Sequence, residues 1–349
     1  MQFKKRYVLR GALVLLCLLF ICLAGFVAKQ YYHLKIENFS ARNDQTNSYY
    51  IDSRMSVDQV LDMMEQDYYI GSRQDFKLHA KLMHFHYAEP GFYTFKSVIS
   101  NRELIDRLRL GRQTPIKMTW DNSIRTREQL AGAVSSYLRM DSVTLLHYLE
   151  DNTFLASYGL DKETSRCLFI PNTYQVYWTM TPEQLFDRMK YEFNTFWNTD
   201  RMNKAQQIGL SPVEVSILAS IVEGESRKKS DQDTIASLYI NRIHKGMLLQ
   251  ADPTVKYANG ITDARRILKT HLAYDSPYNT YLYRGLPPGP IKCPNAQTLD
   301  VVLNAPKTNY LYMCANPDFT LTHVFNVTYA GHQRVADAYR QELNKRHVK

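Results

Sequence analysis

The apolar positions of this chain form one long uninterrupted run and many shorter stretches that are spaced for helices and strands. The long run is uncharged from Gly11 to Ala28. At about 1.5 Å per helical residue it crosses most of the hydrocarbon core of a bilayer. Four basic residues precede it, namely Lys4, Lys5, Arg6 and Arg10. Because basic flanks stay cytoplasmic, we expect a cytoplasmic tail over 1–10, a membrane anchor over 11–29, and the rest of the chain outside the inner membrane.

A cleaved signal peptide is the alternative interpretation of this run. Phe26 spoils a small-x-small cleavage site before Lys29, and no lipobox precedes Cys17 or Cys22. These features favour an uncleaved, single-pass anchor. The residues that follow, 30–47, are polar and lack clear periodicity, which predicts a short tether.

Residues 48–118 have the pattern of a small α+β module. Ser56 and Gln59 form a capping box that opens a helix. The pattern also predicts a strand before this helix, a second helix and a closing strand, over Ser48–Asp52, Gln74–Met83 and Gly91–Phe95. The order strand, helix, helix, strand resembles the LysM-like module, a small glycan-binding fold. A plain α+β spacer is the alternative, because element order without signature residues is weak support.

Residues 119–349 mix helical and strand patterns, which predicts a second α+β domain. Capping residues predict further helices that start after Ser100, Thr126 and Thr181, and another helix is predicted around Asp141–Leu149. The helix that Thr181 opens is expected to continue to Gln207. Strands are predicted over Ile116–Trp120, Leu168–Tyr174, Tyr310–Met313 and His323–Val327, and a charged helix ends the chain.

The most strongly marked helix begins at Ser211. Ser211 and Glu214 form a capping box, and Pro212 takes the first helical position, where its missing N–H costs nothing. At about 100° per residue, one acid falls on the same face as three apolar residues. These four residues are Leu218, Ile221, Val222 and Glu225. A carboxylate therefore extends the stripe that this helix buries.

Two acids near the end of this helix face different surroundings. Glu223 lies roughly 160° away from Glu225 and shares its side with Ser216 and Ser220. Partial burial disfavours the charged form of a carboxyl group and raises its pKa. We therefore predict that Glu225 keeps a proton near neutral pH and acts as a general acid. The alternative is a frayed helix end at which Glu225 pairs with Arg227 or a lysine.

Downstream of these acids the chain becomes rich in polar loops. A helix is predicted over Ser230–His244, with Gly246 as its stop. The loop segments that follow are Gln250–Val255, Tyr278–Tyr281 and Gly285–Pro290. Proline-fixed turns that carry amide, hydroxyl and phenol groups can line a groove for a polar ligand. Rigid surface loops that cap local backbone are the alternative.

Composition and charge narrow the classes of function. The 349 residues leave room for two or three compact units, and the net charge of +9 suits an anionic partner such as a cell wall or a membrane surface. No nucleic-acid-binding signature occurs, so we expect no nucleic acid partner. His323 and His332 have no third ligand in sight and no phosphate loop is present, so we expect no metal and no cofactor. Cys167, Cys293 and Cys314 are odd in number, which argues against a disulfide framework and leaves a single bridge open.

The acid, the polar aromatic loops and the extracytoplasmic location together fit cleavage of a glycosidic bond. In that reaction a protonated carboxyl group donates its proton to the leaving oxygen. A hydrolase needs a second carboxylate as well, and Asp252 is the nearest candidate by sequence. If Asp252 only caps a loop, the alternative is a lyase in which Glu225 acts twice.

Several ordered motifs carry a resemblance to a known family. They are ILASIVEGES, NRIHKGMLLQADPTV, SPYNTY, GLPPGPI, and HVFN with His332 after it. From about Gly91 onward, in order and in spacing, the chain resembles the endolytic murein transglycosylase (YceG-like) family. The N-terminal anchor and the LysM-like pattern are consistent with that family.

The resemblance implies a periplasmic lytic transglycosylase that cleaves the β-1,4 bond between N-acetylmuramic acid and N-acetylglucosamine within nascent peptidoglycan strands. The products would be 1,6-anhydro ends, formed without water. In the family the acid and base is the second glutamate of a V-E-x-E motif, which is Glu225 here. Other residues would line or support the glycan cleft, namely Glu223, Gln250, Asp252, Tyr278, Asn279 and Tyr281. Peptidoglycan synthases or penicillin-binding proteins are the implied partners, with a role in ending strand elongation.

The chain departs from the family pattern near its motifs. Gly224 stands where a lysine is common between the two glutamates, and a glycine there predicts that the helix ends early. Asn172 replaces an acid, and Cys293 and Asn295 interrupt an N-P-G turn. Two rival functions stay open, a hydrolytic muramidase with Asp252 as partner and a membrane-anchored glycan-binding scaffold of the cell-wall synthesis machinery.

Overall fold

The chain folds into two compact units. A computed structural model describes residues 2–43, 45–261, 267–320 and 322–345, without the side chains of residues 2–10 and 12. The first unit contains residues 1–116 with 175–179, and the second contains 117–174 with 180–349. Helices and short antiparallel strands occur in both, so the mixed α+β class expected from the sequence is confirmed.

The first helix, α1 (Gln2–Lys35), contains the long apolar run. Its segment Leu13–Lys35 has 23 residues and a mean hydropathy of 2.3, and none of its apolar window is buried in the protein. By length and composition it can cross a bilayer. The expected apolar N-terminal helix is thus confirmed, and it continues beyond the expected end at Lys29.

In the first unit, short strands and helices surround a small core. Its elements after α1 are β1 (Glu37–Ala41), β2 (Asn47–Ile51), β3 (Met55–Ser56), α2 (Val57–Asp67), β4 (Tyr68–Ile70), α3 (Arg73–Leu82), β5 (Tyr87–Ala88), β6 (Gly91–Phe95), β7 (Val98–Ser100) and α4 (Asn101–Arg109). The strand β1 lies between β4 and β7 in an antiparallel sheet, while β2 pairs with β6 and β3 with β5. The two strands predicted from the sequence, β2 and β6, are therefore neighbours, and α2 and α3 lie between them in the chain.

The segment expected to be a tether differs from that expectation. Residues 30–35 belong to α1, and β1 carries Phe39 into the core, where it is fully buried. The ring of Phe39 packs edge-on against Phe76 at a centroid distance of 5.4 Å. A strand with one buried residue among polar neighbours has no periodic signal, so its sequence predicts coil.

From Ile116 onward the chain is mostly helical. The elements are β8 (Ile116–Thr119), α5 (Arg127–Ser135), α6 (Ser142–Glu150), α7 (Asn152–Ala156), a 3₁₀ helix (Ser165–Leu168), β9 (Thr173–Val176), α8 (Pro182–Phe196), α9 (Thr199–Gln207), α10 (Pro212–Glu225), α11 (Lys229–His244), α12 (Asp252–Ala258), α13 (Lys269–Leu272), α14 (Ala296–Leu303), β10 (Tyr312–Ala315), β11 (His323–Asn326) and α15 (Tyr329–Lys345). The strands β10 and β11 pair antiparallel, with Met313 opposite Phe325.

Two predicted elements are wrong in this unit. The apolar segment Leu168–Tyr174 is not one strand, because Leu168 ends a 3₁₀ helix and β9 starts only at Thr173. The long helix expected to reach Gln207 breaks at Trp197, since the side chain of Asn198 accepts a hydrogen bond from the backbone N–H of Arg201 at 3.0 Å and opens α9.

The helix α10 is the centre of the second unit. It packs against α11, α12 and α14, and every residue from Val215 to Glu223 is buried. The predicted capping box is confirmed, since the N–H of Glu214 donates to the Ser211 hydroxyl at 3.2 Å and Ser211 donates back at 2.8 Å. The whole circumference is buried rather than one stripe, so the amphipathic interpretation from the sequence is incomplete.

Candidate functional site

Glu225 is the last residue of α10. The helix does not end early at Gly224 as its sequence predicts, because Ser226 still donates its backbone N–H to the carbonyl of Val222 at 3.3 Å. Gly224 has a different structural reason. A Cβ atom at this position would lie 2.8 Å from Cβ of Pro253. The glycine therefore allows α12, which carries Pro253 in its first turn, to approach the end of α10.

Glu225 is half-buried at the end of α10. The hydroxyl of Tyr239, on α11, donates to its Oε1 at 2.7 Å. Burial raises the pKa of Glu225 to about 7, which the Tyr239 hydrogen bond opposes and the negative charge of Asp252 reinforces. The expected alternative, an ion pair with Arg227 or a lysine, does not occur among the described residues. Glu225 is thus a carboxyl group that can hold a proton near neutral pH.

Glu223 has the opposite surroundings. It is 8% exposed, and its two oxygens accept hydrogen bonds from the side chain of Asn122 and from Asn295. Asn295 donates twice, with its backbone N–H at 3.2 Å and its side-chain amide at 2.7 Å, and it also caps α14. The residue that interrupts the family's turn pattern therefore anchors Glu223. These bonds attach the loop before α5 and the start of α14 to α10, the helix that carries the candidate catalytic residue.

Asp252 begins α12 and remains exposed near Glu225. One of its oxygens, Oδ1, accepts a hydrogen bond from the hydroxyl of Tyr281 at 2.7 Å. Burial and the charge of Asp252 raise the pKa of Tyr281, so this phenol stays protonated and acts as a donor. The neighbouring Gln250 has a left-handed backbone with φ of 52° and holds its N–H on the carbonyl of Thr280 at 3.0 Å.

Two polar cavities meet at Glu225. The Glu225 cavity has a volume of about 410 Å³, and its lining includes Glu223, Glu225, Asp252, Lys256 and Lys292. The Tyr239 cavity has a volume of about 410 Å³, and its lining includes Glu225, Tyr239, Gln250, Asp252, Tyr281 and His323. Both are polar and open to solvent. The structure therefore brings Glu223, Glu225, Gln250, Asp252 and Tyr281 to one continuous groove.

Tyr278 and Asn279 lie behind this groove rather than in its lining. The hydroxyl of Tyr278 donates to Glu163 at 2.7 Å. Asn279 is fully buried, donates to the carbonyl of Tyr274 at 2.8 Å and accepts the N–H of Tyr281 at 3.0 Å. Their role in the structure is to hold the loop that presents Tyr281.

Sequence reasoning missed two residues that shape the site. The sequence predicts the helix over Ser230–His244 without a role for Tyr239 at the site, and in the structure Tyr239 bonds to Glu225 across two helices. The sequence presents His323 only as an unsupported metal ligand, and in the structure its Nδ1 pairs with the buried Asp231 at 2.8 Å while the ring borders the Tyr239 cavity. A phenol on the buried face of the helix after an acid is the one local signal that could have indicated Tyr239. Within the described residues, no group of three His, Cys, Asp or Glu side chains could hold a metal ion.

The buried Arg166 supports the proline-rich loop beside the site. Its guanidinium donates to the carbonyls of Arg125 and Pro290 and, at 2.9 Å, to the hydroxyl of Tyr257. A side chain at Gly289 would collide with the carbonyl of Glu163, so the tight turn of this loop requires glycine. The polar loops predicted from the sequence are thus held rigidly from behind.

Comparison with known proteins is consistent with this geometry. An endolytic murein transglycosylase of Bacillus subtilis (strain 168) is 26% identical over 311 residues, which cover 85% of this chain and 85% of that protein. An endolytic murein transglycosylase of Streptococcus pneumoniae serotype 2 is 26% identical over 305 residues. The match covers 77% of this chain and 54% of the pneumococcal protein.

A solved structure shares the fold. The crystal structure of a yceG-like protein from Listeria monocytogenes aligns with a TM-score of 0.55 at 24% identity, covering 84% of this chain and 99% of that one. The sequence profile of the YceG-like family matches residues 49–338, which is most of the chain. The resemblance seen in the sequence motifs is confirmed, and the chain belongs to the YceG-like family.

Proposed function

We propose that this protein is a membrane-anchored lytic transglycosylase that cuts murein strands internally. The observation that carries the proposal is the carboxyl group of Glu225, whose pKa is raised to about 7 by burial at the meeting point of two open polar cavities. Cleavage of a glycosidic bond requires a protonated acid beside the leaving oxygen, in a groove that admits the glycan. The names of the curated relatives point to the same chemistry.

In the first step, Glu225 donates its proton to the glycosidic oxygen between N-acetylmuramic acid C1 and N-acetylglucosamine. Tyr239 occupies Oε1 through its hydrogen bond, so Oε2 is the oxygen that carries the proton. The bond between C1 and the oxygen breaks, the oxygen leaves as a hydroxyl, and positive charge develops at C1. Asp252 has Oδ2 free of the Tyr281 bond and stabilises that charge through space.

In the second step, the Glu225 carboxylate removes the proton from the C6 hydroxyl of the same muramic acid. The C6 oxygen then bonds to C1 and forms a 1,6-anhydro ring, which returns Glu225 to its protonated state. Neither step consumes water. The Tyr239 hydroxyl stabilises the carboxylate between the steps, because a hydrogen bond to the charged form lowers its energy.

We assign the catalytic role to residues 119–349 and propose that residues 48–118 form a LysM-like glycan-binding module. Support for the module comes from the β2 and β6 pair with two helices between its strands. An aromatic cluster in the first compact unit adds to it, since Tyr50 is 61% exposed and packs against Phe92 and against Trp178, which segment 175–179 contributes to that unit, at centroid distances of 4.7 and 5.0 Å. Exposed rings of this kind can stack on sugar faces.

The N-terminal helix places the enzyme at its substrate. We propose that residues 11–29 anchor it in the bacterial inner membrane, with residues 1–10 in the cytoplasm and the catalytic domain in the periplasm. Nascent strands grow at that membrane surface. Peptidoglycan synthases or penicillin-binding proteins are then the expected partners, and internal cleavage would end strand elongation.

The test uses full-length protein in detergent with uncrosslinked glycan strands of known length. Internal cleavage predicts that strands of intermediate length appear early, whereas cleavage from an end releases disaccharides from the start. Mass spectrometry of the new ends should show anhydromuramic acid. Reducing ends would instead indicate a hydrolase in which Asp252 serves as the second carboxylate, and intact strands would favour a glycan-binding scaffold.

A further inference from the structure

A third, larger cavity adjoins the Glu225 cavity, and Glu223 lines both. It has a volume of about 750 Å³. Four cations and one carboxylate line it, namely Arg125, Arg227, Lys229, Lys292 and Glu223, and we call it the cationic cavity. Every one of these residues except Lys229 also lines the Glu225 cavity. The two cavities are therefore continuous, and a ligand that reaches Glu225 has direct access to the cations.

The four cations of the cationic cavity outnumber its single carboxylate, Glu223, so the lining carries a net positive charge. The oxygens of Glu223 are already engaged by the amides of Asn122 and Asn295. Within the described part of the chain, none of the four cations has an ion-pair partner. Burial lowers the pKa of Lys292, which Glu223 opposes and the nearby charges of Arg125 and Arg227 reinforce. Such a group of cations attracts an anionic ligand.

Two of the four cations, Lys292 and Arg125, stand on backbone that is held by hydrogen bonds before any ligand arrives. The residues on both sides of Lys292 are held, since Ile291 donates its N–H to the Ser220 hydroxyl at 3.0 Å and Cys293 donates to the carbonyl of Ile124 at 2.9 Å. The main chain of Arg125 is held as well, because its N–H donates to the side chain of Gln129 at 2.7 Å. A preorganised site loses little entropy when it binds.

The remaining lining indicates what kind of anion fits. Amide and hydroxyl side chains surround the cations, namely Asn122, Ser123, Gln129, Gln232, Asn295, Gln297 and Thr298. Amides pair with peptide groups and the cations pair with carboxylates. This combination is complementary to a short acidic peptide rather than to a bare sugar or a compact phosphate.

We propose that the cationic cavity binds the carboxylates of the peptide stem on the muramic acid whose glycosidic bond Glu225 cleaves. The inference rests on the proposed function, because the stem hangs from the lactyl ether of the same ring whose C1 reacts. A stem that leaves that ring beside Glu225 enters the adjoining cavity. Binding there would fix the register of the strand, so that a muramic acid rather than the alternate sugar is presented to Glu225.

The experiment compares two substrates that differ only in the stem. Uncrosslinked strands are used intact or after an amidase has removed their peptides, and kcat/KM is measured for each with full-length protein in detergent. For wild type we expect roughly a tenfold preference for stem-bearing strands, since a charge-assisted hydrogen bond is worth about that much. In the Arg125→Gln, Lys292→Gln double variant the ratio should fall to near one. Lys245→Gln, which removes an exposed charge outside these cavities, should keep the wild-type ratio.

The dependence of the substrate preference on salt concentration is a second test, and it needs no variant. Because the contact is ionic and partly exposed, the wild-type preference should shrink as ionic strength rises. A double variant that keeps the wild-type ratio, or a wild-type ratio near one with both substrates cleaved, would overturn the inference and leave the proposed function standing. A preference for peptide-free strands that retain a lipid diphosphate would overturn the peptide assignment. Cleavage of neither substrate by wild type would contradict the proposed function itself.

Discussion

Glu223 and Glu225 lie on different sides of the last turn of α10 and differ in the number of hydrogen bonds that they receive. On one side Glu223 receives three hydrogen bonds from Asn122 and Asn295, and both of its oxygens are occupied. On the other side Glu225 receives one bond from the described protein, from Tyr239. Two glutamates only two positions apart thus serve different ends. A carboxylate surrounded by donors fixes structure, and one that is buried with few donors is available for proton transfer.

The largest expected effect is the loss of cleavage activity when Glu225 can no longer transfer a proton. Glu225→Gln keeps the size of the side chain and its bond to Tyr239 but removes the transferable proton. We expect the cleavage rate to fall by roughly 10²- to 10⁴-fold, the usual contribution of a general acid and base. Initial rates on glycan strands measure it, with Glu223→Gln as the matched control. An equal loss in both variants would show that the two acids do not differ in role.

The next effect is on stability and belongs to the Glu223 side. Glu223→Ala leaves the half-buried amides of Asn122 and Asn295 without their acceptor. We expect a loss of about 3 kcal/mol in the free energy of unfolding, since hydrogen bonds to charged groups contribute up to that amount. Thermal or urea unfolding measures it. Glu225→Ala serves as the comparison and should cost less, because it leaves only the Tyr239 hydroxyl unpaired.

A third prediction concerns the pH dependence of stability on the Glu225 side. The folded pKa of Glu225 is raised to about 7 from 4.5 in the unfolded chain. Its favourable contribution is therefore complete below the unfolded value and is lost as pH rises through about 7. Above that pH, Glu225→Gln should be more stable than wild type, by up to about 3 kcal/mol. In acid the two should unfold alike, and a constant difference across pH would contradict the burial of an ionisable acid.

The smallest expected effect is a shift in the pH dependence of activity, which tests what raises the pKa of Glu225. Activity should fall as pH rises through about 7, because Glu225 loses the proton that it donates. Asp252→Asn removes a negative charge that contributes to the raised pKa of Glu225. The falling limb of the kcat/KM profile should then move to lower pH, by less than about one unit. A limb that moves to higher pH would show that the charge of Asp252 does not act on Glu225.

Local signals in the sequence were sufficient for much of the fold. The capping boxes at Ser56, Thr126, Thr181 and Ser211 all form as predicted, because each depends on residues within one helical turn. The strand at Gly91–Phe95 is equally local, with alternating burial. The missed features depend on partners far along the chain. The tether prediction failed at Phe39, since only the fold brings Phe76 against it.

The candidate site likewise combines features that local sequence signals indicate with contacts between residues far apart in the chain. The sequence could indicate Glu225 from its helical face, but its partner Tyr239 lies 14 positions away on another helix. The anchoring of Glu223 by Asn295 spans 72 positions, and no local pattern reports it. Gly224 was expected to loosen the helix, and its contact with Pro253 became visible only in three dimensions. Residue types indicate where chemistry can occur, and the packing around them decides which acid can hold a proton.

The central claim is that the Glu225 carboxyl group carries a proton near neutral pH. Infrared difference spectroscopy of the full-length protein, wild type minus Glu225→Gln, measures this directly through the band of the protonated carboxyl group. We predict that the difference band persists at mildly acidic pH and disappears with a midpoint near 7. A midpoint near 4.5, the ordinary value of a glutamate, would contradict the account, because Glu225 would then be ionised where a proton donor is required.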